Sequence, residues 1–133
     1  MKELSEGARA LCKGKNFAFV ATAMADGSPH VSPVWIDVDD EGRLLVNTVI
    51  GRLKERNLRS DPRVAVSLVD HEDPYRRIEV RGRVVDWVEG DVAEQHIDEL
   101  NLRYRGFEPY ADHDPAKPRV IAAIVPERVV ERL

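Results

Sequence analysis

The spacing of hydrophobic positions changes several times along the chain, and each change marks an element. Ser5 followed by Glu6, Ala8, Ala10, Leu11 and Cys12 predicts a short helix, capped by Ser5 and closed by Gly14. From Phe17 the texture becomes β-rich, with Phe17, Phe19, Val20, Thr22 and Met24 forming a strand that stops at Asp26-Gly27-Ser28-Pro29. A second strand is expected from His30 to Val38, with His30, Ser32, Val34 and Ile36 on one face and Val31, Pro33, Trp35 and Asp37 on the other. Proline has no N–H to give to a ladder, so Pro33 places this strand at an edge or a bulge. After the turn Asp39-Asp40-Glu41-Gly42, a third strand covers Arg43 to Thr48.

Gly51 opens a charged segment, Arg52 to Arg59, that reads as a helix of barely two turns and ends at Ser60-Asp61-Pro62. Arg63 to Val69 is an apolar strand. A polar loop at His71-Glu72-Asp73-Pro74 leads to a long strand from Arg77 to about Val88, where Ile78, Val80, Gly82 and Val84 share the buried parity and Glu79, Arg81 and Arg83 the polar one. Asp91 to Tyr104 sets Val92, Ala93, His96, Ile97, Leu100 and Tyr104 at helical spacing, and Gly106 ends that helix. After a polar stretch with Pro109, Pro115 and Pro118, Val120 to Val125 is the last strand, with Val129 and Val130 as its candidate extension. Six strands broken by short helices fit a mainly β, closed antiparallel barrel. An open α/β sheet would need a helix after most strands and a glycine-rich strand-to-helix turn, and neither is present. No repeat, low-complexity segment or linker divides the chain, so residues 1–133 are expected to form a single domain.

Composition narrows the function. The 133 residues carry 20 Lys and Arg against 24 Asp and Glu, a formal net charge of −4, which argues against a general nucleic-acid binder. The single cysteine, Cys12, makes no internal disulfide, and no apolar signal-type run follows Met1, so the expected compartment is the cytoplasm. The longest mostly apolar stretch, Phe17 to Ala25, is too short to span a bilayer.

The distribution of charge says more than its sum. Arg52, Lys54, Arg56 and Arg59 crowd around one helix start, where cations oppose the macrodipole and an anion would reverse the sign. Helical spacing groups Arg52, Arg56 and Arg59 on one face and turns Lys54 elsewhere. The alternative is a solvated surface helix with Glu55 pairing one neighbour. Cys12 has no activating residue at a motif spacing, and His30, His71, His96 and His113 lack metal-ligand spacing, so no catalytic side chain and no metal site is assigned. His96 reads as a core or interface histidine, and Asp112-His113-Asp114 as a solvated turn. Trp35 with Pro33 and Val34 either forms a rigid patch for a flat ligand or fills the barrel. Tyr75-Arg76-Arg77 makes a second cationic and aromatic corner.

An ordered set of segments gives these features a common setting: Phe19-Val20-Ala21-Thr22-Ala23, Asp26 to Trp35, Val46-Asn47-Thr48, Gly51 to Ala65, Asp73-Pro74-Tyr75 and Glu79 to Val84. From about Phe17 to Val130 the chain resembles the pyridoxamine 5'-phosphate oxidase-like split-barrel flavoproteins. Within them it is most similar to the B-type flavin/deazaflavin oxidoreductases (FDOR-B) that use coenzyme F420. The resemblance implies a six-stranded antiparallel split β-barrel of the FMN-binding type, assembled as a homodimer with two cofactor grooves at the subunit interface. It implies that the ring lies along His30, Ser32, Pro33, Val34 and Trp35, with Asn47 and Thr48 from the third strand. The phosphate and acidic tail would meet Arg52, Lys54 and Asn57, and the partner subunit would contribute the loop carrying Tyr75, Arg76 and Arg77. The implied activity is F420-dependent reduction, a hydride passing from the reduced deazaflavin to an unsaturated or conjugated small molecule. The hydride then belongs to the cofactor, which accounts for the missing side-chain nucleophile. The alternatives in the same superfamily are an FMN-binding pyridoxamine 5'-phosphate oxidase-like protein and a non-catalytic F420 or flavin carrier.

Overall fold

The computed structural model describes residues 1–107 and 109–133. Ser5 caps α1 (Glu6–Lys13), its side chain accepting the Ala8 N–H at 3.1 Å, so the first helix begins where the cap residue dictates. Three strands follow, β1 (Phe17–Ala23), β2 (Pro29–Trp35) and the two-residue β3 (Asp37–Val38), then β4 (Leu44–Val49), α2 (Leu53–Ser60), β5 (Arg63–Val69) and β6 (Arg77–Glu89). The chain ends with α3 (Asp91–Arg105) and β7 (Arg119–Arg132). Gly106 closes α3 in the left-handed conformation, φ 85°, with its N–H returned to Leu102 O, a position where a side chain would be strained.

All the strands join one antiparallel sheet in the order β2-β1-β5-β6-β7-β4-β3. Alternation turns Val20, Val46, Val66, Leu68, Ile78, Val80 and Ile124 inward, and α1 adds Ala8, Leu11 and Cys12 to the same core. The β6–β7 register slips at Arg81/Gly82 and again at Val84/Asp86, irregularities that bend these two long strands. At the first slip the β7 backbone closes on Gly82 so tightly that a methyl group there would run into the Val125 carbonyl oxygen. On the outside, α3 builds a second cluster from Ile97, Leu100 and Tyr104 with Trp35 and Tyr110.

Three expectations change. The sheet has seven strands instead of six, and the single strand expected from His30 to Val38 is divided at Ile36. Side chains of α3 take both backbone groups of Ile36: its N–H donates to Tyr104 Oη at 3.1 Å, and its carbonyl accepts from Arg103 Nη1 at 2.8 Å. Nor is the hydrogen-bonded ladder closed. Its two edges, β2 and β3, are consecutive in sequence and separated by that one residue, which forces the sheet to curl until its ends meet. β2 pairs only with β1, and β4 pairs with β3 only at Leu44 and Leu45, so a split remains between β2 and the rest of β4. No helix among the described residues is long and apolar enough to cross a membrane.

Candidate functional site

A cavity of about 290 Å³ lies over the split. Pro33, Val34 and Trp35 of β2 form one wall, Asn47 of β4 and Ile97 of α3 another, and Phe17 borders it. Its cationic end is made by Arg52 and Lys54 at the start of α2, Arg105 at the end of α3 and Arg119 at the start of β7, beside Tyr110. A neighbouring cavity of about 440 Å³ shares Arg52, Tyr110 and Arg119 and adds Lys117 and His113 together with the acids Glu94, Asp112 and Asp114. Arg119 arrives through sheet register, because β4 and β7 pair Val49 with Arg119 and so set it beside the β4–α2 turn.

The cations lie close enough to repel one another, with Glu94 and Tyr110 acting against this at Arg119. Arg119 is only 6% exposed, and Arg52 and Lys54 have no ion-pair partner among the described residues. Burial, then the charges of Arg52 and Arg119, holds the Lys54 amine below the ordinary lysine range. Burial and Arg52 likewise lower Arg119, against the opposing influence of Tyr110, whose Oη accepts from Arg119 Nη2 at 3.1 Å, and of Glu94, which accepts from the Arg119 backbone N–H at 2.7 Å. Arg52 is the N-cap of α2, and no side-chain hydrogen bond caps that end. Glu55 instead accepts from the Gly51 N–H at 3.0 Å and lies 3.6 Å from Arg59. An exposed Arg52 and a half-buried Lys54 at an uncapped helix start make a place for phosphate or carboxylate oxygens.

The aromatic wall is fixed from behind. Trp35 stacks on Tyr104, centroids 5.1 Å apart and planes 5° off parallel, with the Arg105 guanidinium 5.2 Å from the Trp35 ring. Trp35 therefore stands between β2 and α3 and does not fill the barrel. Tyr104 Oη also donates to Asn16 O at 2.6 Å, locking the supporting ring.

Polar groups at the split lack partners. Of five buried side-chain polar atoms without one among the described residues, four belong to the two strands that flank it: His30 Nδ1, Ser32 Oγ, Asn47 Oδ1 and Thr48 Oγ1. Natively folded proteins rarely leave such atoms unsatisfied, so a ligand or ordered water is needed to meet them, and of these four residues Asn47 lines the cavity.

The sequence-predicted residues divide into three groups. Pro33, Val34, Trp35, Asn47, Arg52 and Lys54 meet at the cavity, while His30, Ser32 and Thr48 lie along the same two strands. Asn57 is turned into the protein, donating to Thr22 Oγ1 at 3.1 Å and toward Met24 Sδ at 3.4 Å, so it is placed to support α2 and not to touch a ligand. Tyr75 is 85% exposed, Arg76 pairs with Asp70 at 2.8 Å and Arg77 lies 3.5 Å from Glu79; none of them lines either cavity of the single chain. The helical-face grouping of the cations also changes. Arg59 leaves the site to pair with Glu89 at 3.4 Å and to cover Trp87 at 4.0 Å, and it is Lys54 that joins Arg52.

Sequence reasoning missed Arg105, Arg119 and Tyr110. A usable signal existed for Arg119 alone: a charged residue opening the otherwise apolar run Val120 to Val125. Burial raises the Cys12 thiol to about 12, which removes it from nucleophilic chemistry. No group of three or more potential metal ligands occurs among the described residues.

Comparison with known proteins places this geometry. The family model for pyridoxamine 5'-phosphate oxidase matches residues 4–132. Among solved structures, an F420 reductase is 34% identical with a TM-score of 0.82, the match covering 96% of this chain and 98% of the reductase. A conserved hypothetical protein from Mycobacterium tuberculosis is 28% identical, with a TM-score of 0.74 and coverage of 97% and 88%. General stress protein 26 from Bacillus anthracis, 22% identical with a TM-score of 0.70 and coverage of 93% and 89%, shares the fold. No curated protein matches the chain.

Proposed function

The chain belongs to the pyridoxamine 5'-phosphate oxidase-like split-barrel family that includes the B-type deazaflavin oxidoreductases, and from that premise we propose that it is a coenzyme F420-dependent reductase. The observation that carries this reading is the set Arg52, Lys54 and Arg119 at one end of a cavity with a flat wall, of which Arg52 and Lys54 have no ion-pair partner among the described residues. A phosphate with a tail of several carboxylates suits more cations than a single phosphate requires. The Asn47 Oδ1 atom, unpartnered among the described residues in a residue that lines the cavity, suits the heteroatom-rich edge of a tricyclic ring. The residues present therefore fit the cofactor.

When bound, reduced F420 supplies a hydride to an unsaturated or conjugated acceptor. The protein's own part is to hold and shield. Arg52, Lys54 and Arg119 hold anionic groups, Trp35 on its Tyr104 backing keeps a rigid wall against a ring, and Pro33 and Val34 exclude water along β2.

The proposal includes a homodimer. Phe17, Phe19 and Ala21 lie opposite Trp35, Pro33 and Val31 in the β1–β2 ladder, so the cavity wall and the exposed side chains of Phe19 and Val31 share one face. Val130 adds to this apolar surface, which borders a groove of about 690 Å³. An apolar face continuous with a ligand site suits a second copy, whose Tyr75, Arg76 and Arg77 would complete the groove.

Purification from a host that makes no F420 tests the assignment. The expected product is colourless and quenches the fluorescence of added F420 on binding. A yellow protein carrying FMN, with no response to F420, overturns F420 in favour of the flavin. A protein that binds F420 but oxidises none of it, in reduced form, with enones, quinones or tetrapyrroles is a carrier.

A further inference from the structure

Behind the cavity wall, a buried polar chain runs away from the site and ends on two cations. Asn47 Nδ2 lies 2.9 Å from the Ala93 carbonyl oxygen and 3.1 Å from His96 Nδ1. A carbonyl can only accept, so the amide atom facing Ala93 is the nitrogen and the orientation of the Asn47 amide is settled. Its second hydrogen then points at His96 Nδ1, which must present a lone pair. The imidazole proton therefore sits on Nε2, 3.0 Å from Asp37 Oδ2. Asp37 Oδ1 accepts from Lys13 Nζ and Arg103 Nη2, each at 2.8 Å. Burial favours the neutral carboxyl, but the hydrogen bonds from His96, Lys13 and Arg103 outweigh it and hold Asp37 well below the usual carboxylate range. An ionised Asp37 is the acceptor that the His96 Nε2–H needs.

The Ala93 carbonyl and the His96–Asp37 pair thus agree on one orientation of the Asn47 amide, and one atom is left over. Asn47 Oδ1 is buried and has no partner among the described residues, in a residue that lines the cavity. We propose that Asp37 and His96 are positioning residues that fix the Asn47 carboxamide with its oxygen presented as an acceptor, so that the site selects a ring bearing an N–H donor on its edge. The inference rests on the deazaflavin reading and sharpens it: the imide-type edge of the ring, and not only its flatness and its anionic tail, is recognised. His96 lines the opposite cavity, next to Asp37 and Glu99, and would act only through Asn47.

Binding of two tail-free rings tests this, using the full chain: 8-hydroxy-5-deazariboflavin and its N3-methyl derivative, titrated by fluorescence. Wild type is expected to bind the parent ring at least about tenfold more tightly, since the methylated ring leaves the buried acceptor unpaired. His96→Leu removes one of the two acceptors of the Asn47 amide and leaves it held by the Ala93 carbonyl alone, so the preference for the parent ring should shrink to about threefold. His96→Gln, whose amide can offer oxygen to Asn47 and N–H to Asp37, should restore the preference. Asn47→Ala removes the acceptor directly and serves if His96→Leu does not fold. Undiminished discrimination in His96→Leu, or equal binding of both rings by wild type, overturns the inference while leaving the cofactor assignment standing. Failure of wild type to bind either ring or F420 itself overturns both.

Discussion

Lys54→Met should stabilise the free protein and weaken its hold on F420, two effects of opposite sign from one substitution. Methionine keeps the apolar stem and removes only the charge. In the free protein the Lys54 ammonium is half-buried beside Arg52 and Arg119, and its pKa is lowered by burial first and by those charges second. A base whose folded pKa lies below its unfolded value destabilises the fold fully at pH values under the folded pKa, and the penalty fades as pH rises toward the unfolded value. At neutral pH the whole penalty is present. Like-charge neighbours cost about 0.2–0.5 kcal/mol each, so two give about 0.5–1 kcal/mol before any desolvation. For 133 residues the unfolding entropy is about 0.28 kcal/mol per degree, and the expected rise in Tm is about 2–4 °C. With the cofactor present the same ammonium makes a charge-assisted contact worth about 1.5–3 kcal/mol, so affinity should fall about 10- to 150-fold. Scanning fluorimetry without ligand and F420 titration at low and high salt read the two effects separately, and the salt dependence of binding should also shrink in the variant. A variant with a lower Tm and unchanged affinity would refute the anion-site reasoning.

Three further outcomes follow from geometry away from that lysine. Tyr104→Phe keeps the stack on Trp35 but strands the buried Ile36 N–H and Asn16 carbonyl, and urea unfolding should show a loss of about 2–4 kcal/mol. His113 lies 2.6 Å from Asp98 and 2.9 Å from Glu94, and its hydrogen bond to Asp98, then that to Glu94, raises its pKa against burial. That stabilisation is full below the unfolded histidine pKa and is lost as pH rises through the folded one, so His113→Gln should lower Tm at pH 5.5, by about one or two degrees or more, and match wild type at about pH 9; a pH-independent difference would count against the clasp. With its pKa near 12, Cys12 should resist maleimide at pH 8 in the native protein and label fully in urea, whereas fast native labelling would contradict its burial.

Local chemistry made most elements legible in the sequence. Ser5 and Gly106 announced helix ends, and the strand Arg63–Val69 begins and ends at the residues its apolar pattern predicts. Pro33 also foretold an edge position, which β2 occupies. The break at Ile36 was hidden because parity continues through it; only α3, much later in sequence, claims both of its backbone groups. Half of the cationic cluster was visible for the same local reason, since Arg52 and Lys54 are neighbours in sequence. Arg119 was not, because the β4–β7 register that delivers it is a long-range property. Helical spacing misassigned Arg52 because an N-cap residue lies outside the helix, and the angular rule that governs Arg56 and Arg59 does not orient it. Asn57 was read as a polar group available to a ligand, but burial commits its amide to Thr22 and Met24. His96 was read as a core or interface histidine; its links to Asp37 and Asn47 depend on packing between α3, β3 and β4 that spacing does not encode.

The single-residue passage at Ile36 also bears on solubility at high concentration. An uncurled sheet of seven strands would end in two unpaired edges, each a template on which another chain could add a strand. Here one edge strand carries a proline in its middle and the other is two residues long. The covalent link between them turns both free edges toward each other across a narrow opening. The split therefore offers little purchase for edge-to-edge aggregation, and on the proposed reading the opening that would admit a ligand is guarded against strand addition.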